Sequence, residues 1–335
     1  MSLFSYRTSI SEPSQAGAAR RSALAAAAEL GFTSTQQGRV GIVATELASN
    51  LAKHAHGGEF LVQEIEFSGL RGLELLALDS GPGFSDLGKV MSDGYSTAGS
   101  PGTGLGAVKR LSRTFDAFSL PGQGTVFVAR LWAQETRPPG PRFDYGVISV
   151  PHPRETVTGD SWWVEEPDGG RQTLMLADGL GHGEFASQAA QAAVDVFRKS
   201  RGKEPEDILQ DADGALRSTR GAAMAVAVVD AAQQRIDYVG VGNIAAGIVS
   251  EGGIHRLVSH NGTVGAGIRK VQRFTYPWPK EALLIMHSDG LSAHWNLERY
   301  PGLLARHPSV VAGVLYRDCK RQNDDATVLV MRDAG

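Results

Sequence analysis

Between residues 36 and 56 apolar side chains recur at Val40, Val43, Ala44, Leu47, Ala48 and Leu51. Spacings of three and four place them on one side of an α-helix, so an amphipathic helix is predicted there. The Ala-rich stretch from Ala16 to Leu30 has strong helix propensity, and Gly31 stands where such a helix would stop. The period then changes to two. EFLVQEIEF (59–67) and GLELLALDS (72–80) read as neighbouring strands joined by the turn SGLRG. A glycine-rich turn, GTGLGAVKRL (102–111), runs into a helical pattern, and PGQGTVFVARLW (121–132) gives a turn and a closing strand.

All periodicity breaks at QETRPPGPR (134–142). Pro138, Pro139 and Pro141 favour extended backbone and lack amide donors, and Gly140 adds freedom, so the stretch reads as a domain boundary. Beyond it FDYGVISVPHP (143–153) is a predicted strand, and Asp160 falls in a turn before the next apolar run. A buried strand over 173–177 delivers Asp178 and Gly179 at its C-terminal end, and residues 184–200 form an amphipathic helix of about four turns. AAMAVAVVD (222–230) and RIDYVGVGNIAAGIVS (235–250) are expected to pair as a hairpin. EALLIMHSDGLS (281–292) again ends an apolar strand on an acidic turn, Asp289-Gly290, and Asp324 and Asp325 directly precede a last strand over 326–331.

The 335 residues accommodate two domains of roughly 135 and 195 residues. With 42% hydrophobic and 21% charged residues and a net charge of -3, nothing in the charge points to nucleic acid or an anionic membrane. The single cysteine, Cys319, excludes an intrachain disulfide framework and a thiolate zinc cluster. The first residues lack a basic region followed by an apolar one, and no apolar run reaches the ~18 residues of a membrane helix, so a cytoplasmic protein is expected.

Glu46, Asn50 and His54 succeed one another at intervals of four, which turns a helix by about 400° per step and lines them up in one row. Alone, such a row is more often a solvated stripe than a site. The motifs downstream of it, taken in their order, change its meaning. TELASNLAKHA, LDSGPGF, GTGLG and GQGT together resemble the motif boxes of the GHKL ATPase superfamily over residues 8–132, within it the anti-sigma-factor serine kinases, and especially their RsbT-type branch. The stretch Asp93–Thr97 (DGYST) resembles the short lid of that branch. The resemblance implies an ATP and Mg2+ site. Asn50 would complete the metal's coordination, and Asp79 would accept from the adenine amine with support from Thr125. Gly81, Gly83, Gly102, Thr103, Gly104, Leu105 and Gly106 would form the nucleotide-cradling loops. Glu46 would be the catalytic carboxylate that orients or deprotonates the attacking hydroxyl. His54 is expected beside the site rather than as a phosphoacceptor.

An isolated Asp-Gly pair is commonly only a turn. Carboxylates gathered at several strand ends would repel one another, a cost that bound divalent cations remove, and an all-oxygen set favours Mg2+ or Mn2+. GDSWW, ADGLGHG, HSDGLS and NDDATVLV, in that order, resemble the motifs of metal-dependent PPM phosphatases over residues 144–332, with the SpoIIE-like and RsbX-like branch fitting best. The resemblance implies two Mn2+ or Mg2+ ions held by Asp160, Asp178, the Gly179 carbonyl, Asp289 and Asp324, with Asp325 the alternative within the doublet. It implies direct attack of an activated water on phosphoserine or phosphothreonine. His182 would be either an acid for the leaving oxygen or a supporting residue, and Asn243 structural. Arg154 lies near the region where other branches hold the substrate phosphate, but no motif fixes that equivalence, which leaves phosphate recognition to the metals.

The expected architecture is a two-domain α/β (α+β) chain: a GHKL (Bergerat) α/β sandwich over 1–134, a Pro-rich linker over 135–143, and a PPM-type αββα sandwich over 144–335. The resemblances imply a bifunctional kinase and phosphatase acting on STAS-domain partners in a partner-switching pathway, a sigma-factor cascade or a stressosome-like complex, with a homodimer among the expectations. The rival reading makes the first domain a nucleotide sensor or STAS-binding module beside an active phosphatase.

Overall fold

The computed structural model describes residues 5–67, 69–88, 104–134, 142–165, 170–268 and 271–333. The chain divides into two compact units, Met1–Pro139 with Leu297–Arg317, and Gly140–Asn296 with Asp318–Gly335. Residues 135–141 of the Pro-rich stretch lie outside the described residues.

The first unit is built on an antiparallel sheet of β1 (Ser5–Ile10), β2 (Gly58–Phe67), β3 (Leu70–Asp79), β4 (Thr114–Ser119) and β5 (Thr125–Trp132) in the order β1-β2-β3-β5-β4. Its helices are α1 (Pro13–Glu29), α2 (Ser34–His54) and α3 (Gly104–Leu111). Gln15 Oε1 accepts the Ser11 and Glu12 amides at 2.6 and 3.0 Å, capping α1. Thr33 and Gln36 cap α2 reciprocally, each side chain accepting the other's backbone amide. Alanines 16, 19, 23, 26 and 27 of α1 are buried, so the Ala-rich stretch packs by small side chains rather than by a large apolar stripe.

Phe60, Val62, Leu73, Leu75, Ala77, Phe127, Ala129 and Leu131 share a core with these helices. With a period of two, Leu61, Leu76, Leu78, Val126 and Val128 point to the opposite face, and they are buried as well. That second face is covered by the late segment of the unit, chiefly the helix over Pro308–Cys319, here called α6, whose residues Pro308 to Tyr316 are all buried. A Cβ added at Gly313 would stand 2.7 Å from Val126 Cγ1 and 3.1 Å from Leu78 Cδ2, so the helix meets the sheet closely. A buried polar cluster fastens it. Glu74 accepts from Gln63 Nε2 at 2.6 Å, Arg130 Nε at 2.6 Å and Ser309 Oγ at 2.6 Å, and Arg130 also reaches Ser309 Oγ at 2.9 Å.

The second unit stacks two antiparallel five-stranded sheets. One has the order β13-β10-β9-β8-β7, from β7 (Asp160–Val164), β8 (Arg171–Gly179), β9 (Ala222–Asp230), β10 (Arg235–Val241) and β13 (Phe274–Pro277). The other has the order β12-β11-β14-β15-β6, from β6 (Phe143–Val150), β11 (Ala245–Ser250), β12 (Gly253–Arg256), β14 (Leu283–His287) and β15 (Ala326–Asp333). Leu174, Leu176, Tyr238, Ile248, Met286 and Leu329 belong to the core between them. The helices α4 (Glu184–Lys199) and α5 (Pro205–Ala215) close a second core on the outside of the first sheet.

The run 235–250, expected as one strand, is two: β10 ends at Val241 and β11 starts at Ala245 in the other sheet. Gly242, at φ +96°, turns the chain there against Ala223. Asp160 is the first residue of β7 rather than part of the preceding turn. Among the described residues no helix is long and apolar enough to cross a membrane.

Candidate active sites

In the first unit Glu46, Asn50 and His54 lie along the second half of α2, the first two partly buried and His54 exposed. The glycine-rich stretch is brought to this row. A Cβ added at Gly104, the first residue of α3, would stand 2.6 Å from Glu46 Oε2, so the carboxylate rests where only a glycine leaves room. Leu105 and Gly106 come next in the first turn of α3. Gly102, Thr103 and the DGYST stretch 93–97 lie outside the described residues.

Asp79 ends β3 directly opposite Thr125 of β5 and is 7% exposed. Its Oδ1 accepts the Gly81 amide at 2.8 Å and the Thr125 amide at 3.2 Å. Burial pushes the Asp79 carboxyl above the usual range, while these two hydrogen bonds and the Arg317 charge act against the shift. Among the described residues no hydrogen bond reaches Oδ2, which leaves one carboxylate oxygen for a ligand donor such as an exocyclic amine. Gly81 and Gly83 lie in the loop after β3, and Ser119 holds that loop to the β4–β5 turn by accepting from the Phe84 amide at 2.9 Å and meeting Thr125 Oγ1 at 3.0 Å. Sequence reasoning passed over Ser119. It also passed over Arg317, which donates to the Asp79 carbonyl at 3.0 Å from 238 residues away. An Asp acceptor, a glycine-framed helix start and an adjoining Glu and Asn fit an adenine nucleotide with Mg2+.

In the second unit the strand register places Asp160 directly opposite Asp178. Ser288 Oγ donates to Asp160 Oδ2 at 2.6 Å, and the Thr327 amide holds Ser288 at 3.1 Å. Asp325 Oδ1 accepts the His152 amide at 2.8 Å, Asp324 Oδ1 accepts the Asp325 amide at 3.0 Å, and Asn243 Nδ2 donates to Asp289 Oδ2 at 2.7 Å. A Cβ added at Gly290 would stand 1.8 Å from the Asp325 carbonyl oxygen, so the Asp289-Gly290 turn lies directly against the doublet. Gly179, expected to act through its carbonyl, ends β8 beside Asp178.

Burial, with smaller contributions from Asp325 and Asp289, pushes Asp160 up to about 7. Burial and the charges of Asp160, Asp289, Asp324 and Asp325 push Asp178 up to about 9. Asp324 and Asp325 are raised too, chiefly by burial. Among the described residues, Asp160 Oδ1 and Asp325 Oδ2 are buried without a hydrogen-bond partner. Mutually repelling carboxylates with orphaned oxygens fit an oxygen-liganded divalent cation. Among the described residues no three such groups already stand at ion-holding distance, so the carboxylates are neighbours rather than a closed cage. His182 lies in the loop after β8. Its Nδ1 meets Glu155 Oε1 at 2.7 Å, and its ring stacks on His152 with centroids 4.6 Å apart. Sequence reasoning missed Glu155, the His152 amide and the part played by Ser288, which lies inside the HSDGLS motif but shows there no sign of its bond to Asp160.

Residues 10–130 match the family described as "Histidine kinase-like ATPase domain", and residues 168–333 match "Stage II sporulation protein E (SpoIIE)". The chain is 41% identical over 115 residues to the serine/threonine-protein kinase RsbT of Bacillus subtilis, covering 34% of this chain and 86% of that protein. It is 25% identical over 139 residues to the phosphoserine phosphatase RsbX of the same organism, covering 41% of this chain and 69% of the relative. A solved chain from work on "The bacterial stressosome: a modular system that has been adapted to control secondary messenger signaling" is 28% identical, with a TM-score of 0.53 over 57% of this chain and 99% of its own length.

Proposed function

Since this chain belongs to the RsbT family of serine/threonine-protein kinases by its first domain and carries a SpoIIE/PPM domain with RsbX homology behind it, we propose that it both phosphorylates and dephosphorylates a STAS-domain client. The observation that carries this reading is the Glu46 carboxylate set against Gly104, because a domain that only bound nucleotide would have no need of a carboxylate there.

In the kinase half, Asp79 Oδ2 accepts from the adenine amine while Thr125 and Gly81 hold Oδ1. Gly81, Gly83, Gly102, Thr103, Gly104, Leu105 and Gly106 frame the nucleotide, Asn50 supplies a neutral oxygen to Mg2+, and Glu46 takes the client hydroxyl proton. In the phosphatase half, Asp160, Asp178, the Gly179 carbonyl, Asp289 and the Asp324-Asp325 doublet hold two Mg2+ or Mn2+ ions. When bound, such ions lower the pKa of water and offset phosphoryl charge. Ser288 and Asn243 aim two of the ligands, and His182, held through Nδ1 by Glu155, directs Nε2 to the departing serine oxygen.

The test separates the halves. Asp178→Asn, given labelled ATP, Mg2+ and a STAS-domain protein, should transfer phosphate to the client, and Glu46→Ala should reduce that transfer by about 10²–10⁴-fold while retaining nucleotide binding. Glu46→Ala, given prelabelled client and Mn2+, should remove the label. Normal transfer by Glu46→Ala would refute the assigned base, and nucleotide binding by Asp178→Asn without transfer would favour a nucleotide sensor.

A further inference from the structure

The loop 180–183 and the first turn of α4 carry two features that the metal chemistry does not use. Leu180 and Phe185 are 45% and 61% exposed, although both flank a site built of aspartates. Beside them stands Arg220, itself exposed, with its guanidinium carbon 5.0 Å from the centre of the Phe185 ring. Its Nη1 comes to 3.0 Å from where a Cβ at Gly181 would be, so the glycine leaves the space that the guanidinium fills.

The backbone fixes this placement. Arg220 lies two residues before β9, and in the strand register Ala222 is opposite Gly179 and Ala223 opposite Asp178. The Leu180 amide also donates to the Gly221 carbonyl at 3.0 Å, which ties the loop to the residue after Arg220. The guanidinium is therefore held beside the loop that follows Asp178 and Gly179. Among the described residues it forms no ion pair with any carboxylate, and its contacts are the ring and the loop backbone. Stacked on Phe185, the guanidinium keeps its charge without a carboxylate partner among the described residues, so it is available to an anionic ligand.

Charge shows what it presents them to. Two divalent ions against four or five aspartates leave the site neutral or negative, whereas the group to be hydrolysed arrives as a phosphoryl dianion. We propose that Arg220, Phe185 and Leu180 form the substrate-reading surface of the second unit. The guanidinium takes the phosphoryl oxygens of an incoming phosphoserine or phosphothreonine polypeptide, and the two exposed apolar side chains take its apolar flanking residue. Phosphate recognition is then shared by Arg220 instead of falling to the metals alone. This inference rests on the phosphatase reading and deepens it.

The experiment compares Arg220→Ala, Arg220→Lys and Phe185→Ala with the unaltered full chain in Mn2+, using p-nitrophenyl phosphate and a phosphoserine peptide as substrates and inorganic phosphate as inhibitor. Arg220→Ala should raise KM for both substrates, and the inhibition constant of phosphate, about tenfold or more with kcat little changed. Arg220→Lys should recover part of the loss. Phe185→Ala should raise KM several-fold for the peptide and leave p-nitrophenyl phosphate unaffected. Unchanged KM and phosphate inhibition in Arg220→Ala, with the unaltered chain active and Asp178→Asn inactive, would overturn the assignment of Arg220. A peptide KM unchanged in Phe185→Ala would overturn the apolar part. Absence of hydrolysis by the unaltered chain would instead refute the phosphatase reading, and this inference with it.

Discussion

Asp160 and Asp178 face each other across two strands, and without cations this arrangement costs stability. Their folded pKa values, about 7 and about 9, lie far above the value of an aspartate in an unfolded chain, so the metal-free folded state retains protons that unfolding releases. The stability tied to those protons is complete below pH ~4 and is lost as pH rises through the folded values. Metal-free protein should therefore melt at progressively lower temperature from about pH 4 to about pH 9, and Mg2+ should reverse the loss. Asp178→Asn should flatten that slope and raise the metal-free Tm at pH 8 by about 3–6 °C, as read by calorimetry. A slope unchanged by the substitution would show that Asp178 is not among the strained carboxylates. At this scale the sequence was informative where residue spacing carries chemistry. The Glu46-Asn50 row and the Asp-Gly pairs stand out because a helix period and strand ends impose them. Glu155 did not, and the partners of Ser288 and Asn243 were hidden as well, because each meets its partner through tertiary proximity, which leaves no periodic trace.

The elements most readily foreseen are those with a single environment. α2 and α4 show a helical stripe, and β8 holds its apolar run and ends two residues beyond it, at Gly179. β3 is different, being buried from Gly72 to Asp79 because helices cover one face and α6 the other. The run GLELLALDS can show that burial but not what provides it. β1 escaped notice because its exposed positions blur the alternation, β4 because its mostly half-buried positions do not alternate, and α6 because a helix buried nearly all round has no polar face to set its period. The Glu74-Arg130-Ser309 cluster gives a direct test of that packing. Arg130→Met leaves the Glu74 charge buried without its cation and should cost about 3–5 kcal/mol in urea unfolding. Ser309→Ala removes one hydrogen-bonding hydroxyl and should cost about 1 kcal/mol. Equal small losses in both would mean that Glu74 is not charged there.

For the whole molecule, the compact units do not follow the chain linearly, since Leu297–Arg317 belongs with the first. Sequence order could not reveal this, because a long-range return of the chain is written in no local pattern. A fragment ending at residue 134 would expose Leu76, Leu78, Val126 and Val128, each worth about 1.5–3 kcal/mol when buried. It should aggregate or unfold at markedly lower urea than the first unit does in the full chain, as followed by fluorescence. A midpoint matching the full chain would show that the late segment is dispensable. The central claim is that one chain carries opposing activities toward one client. It is tested most directly by the steady-state phosphorylation of a STAS-domain client incubated with ATP, Mg2+ and Mn2+ and either the unaltered protein, Glu46→Ala or Asp178→Asn. The account predicts an intermediate level with the unaltered protein, almost none with Glu46→Ala, and a clearly higher level with Asp178→Asn. A level that Asp178→Asn leaves unchanged would contradict it.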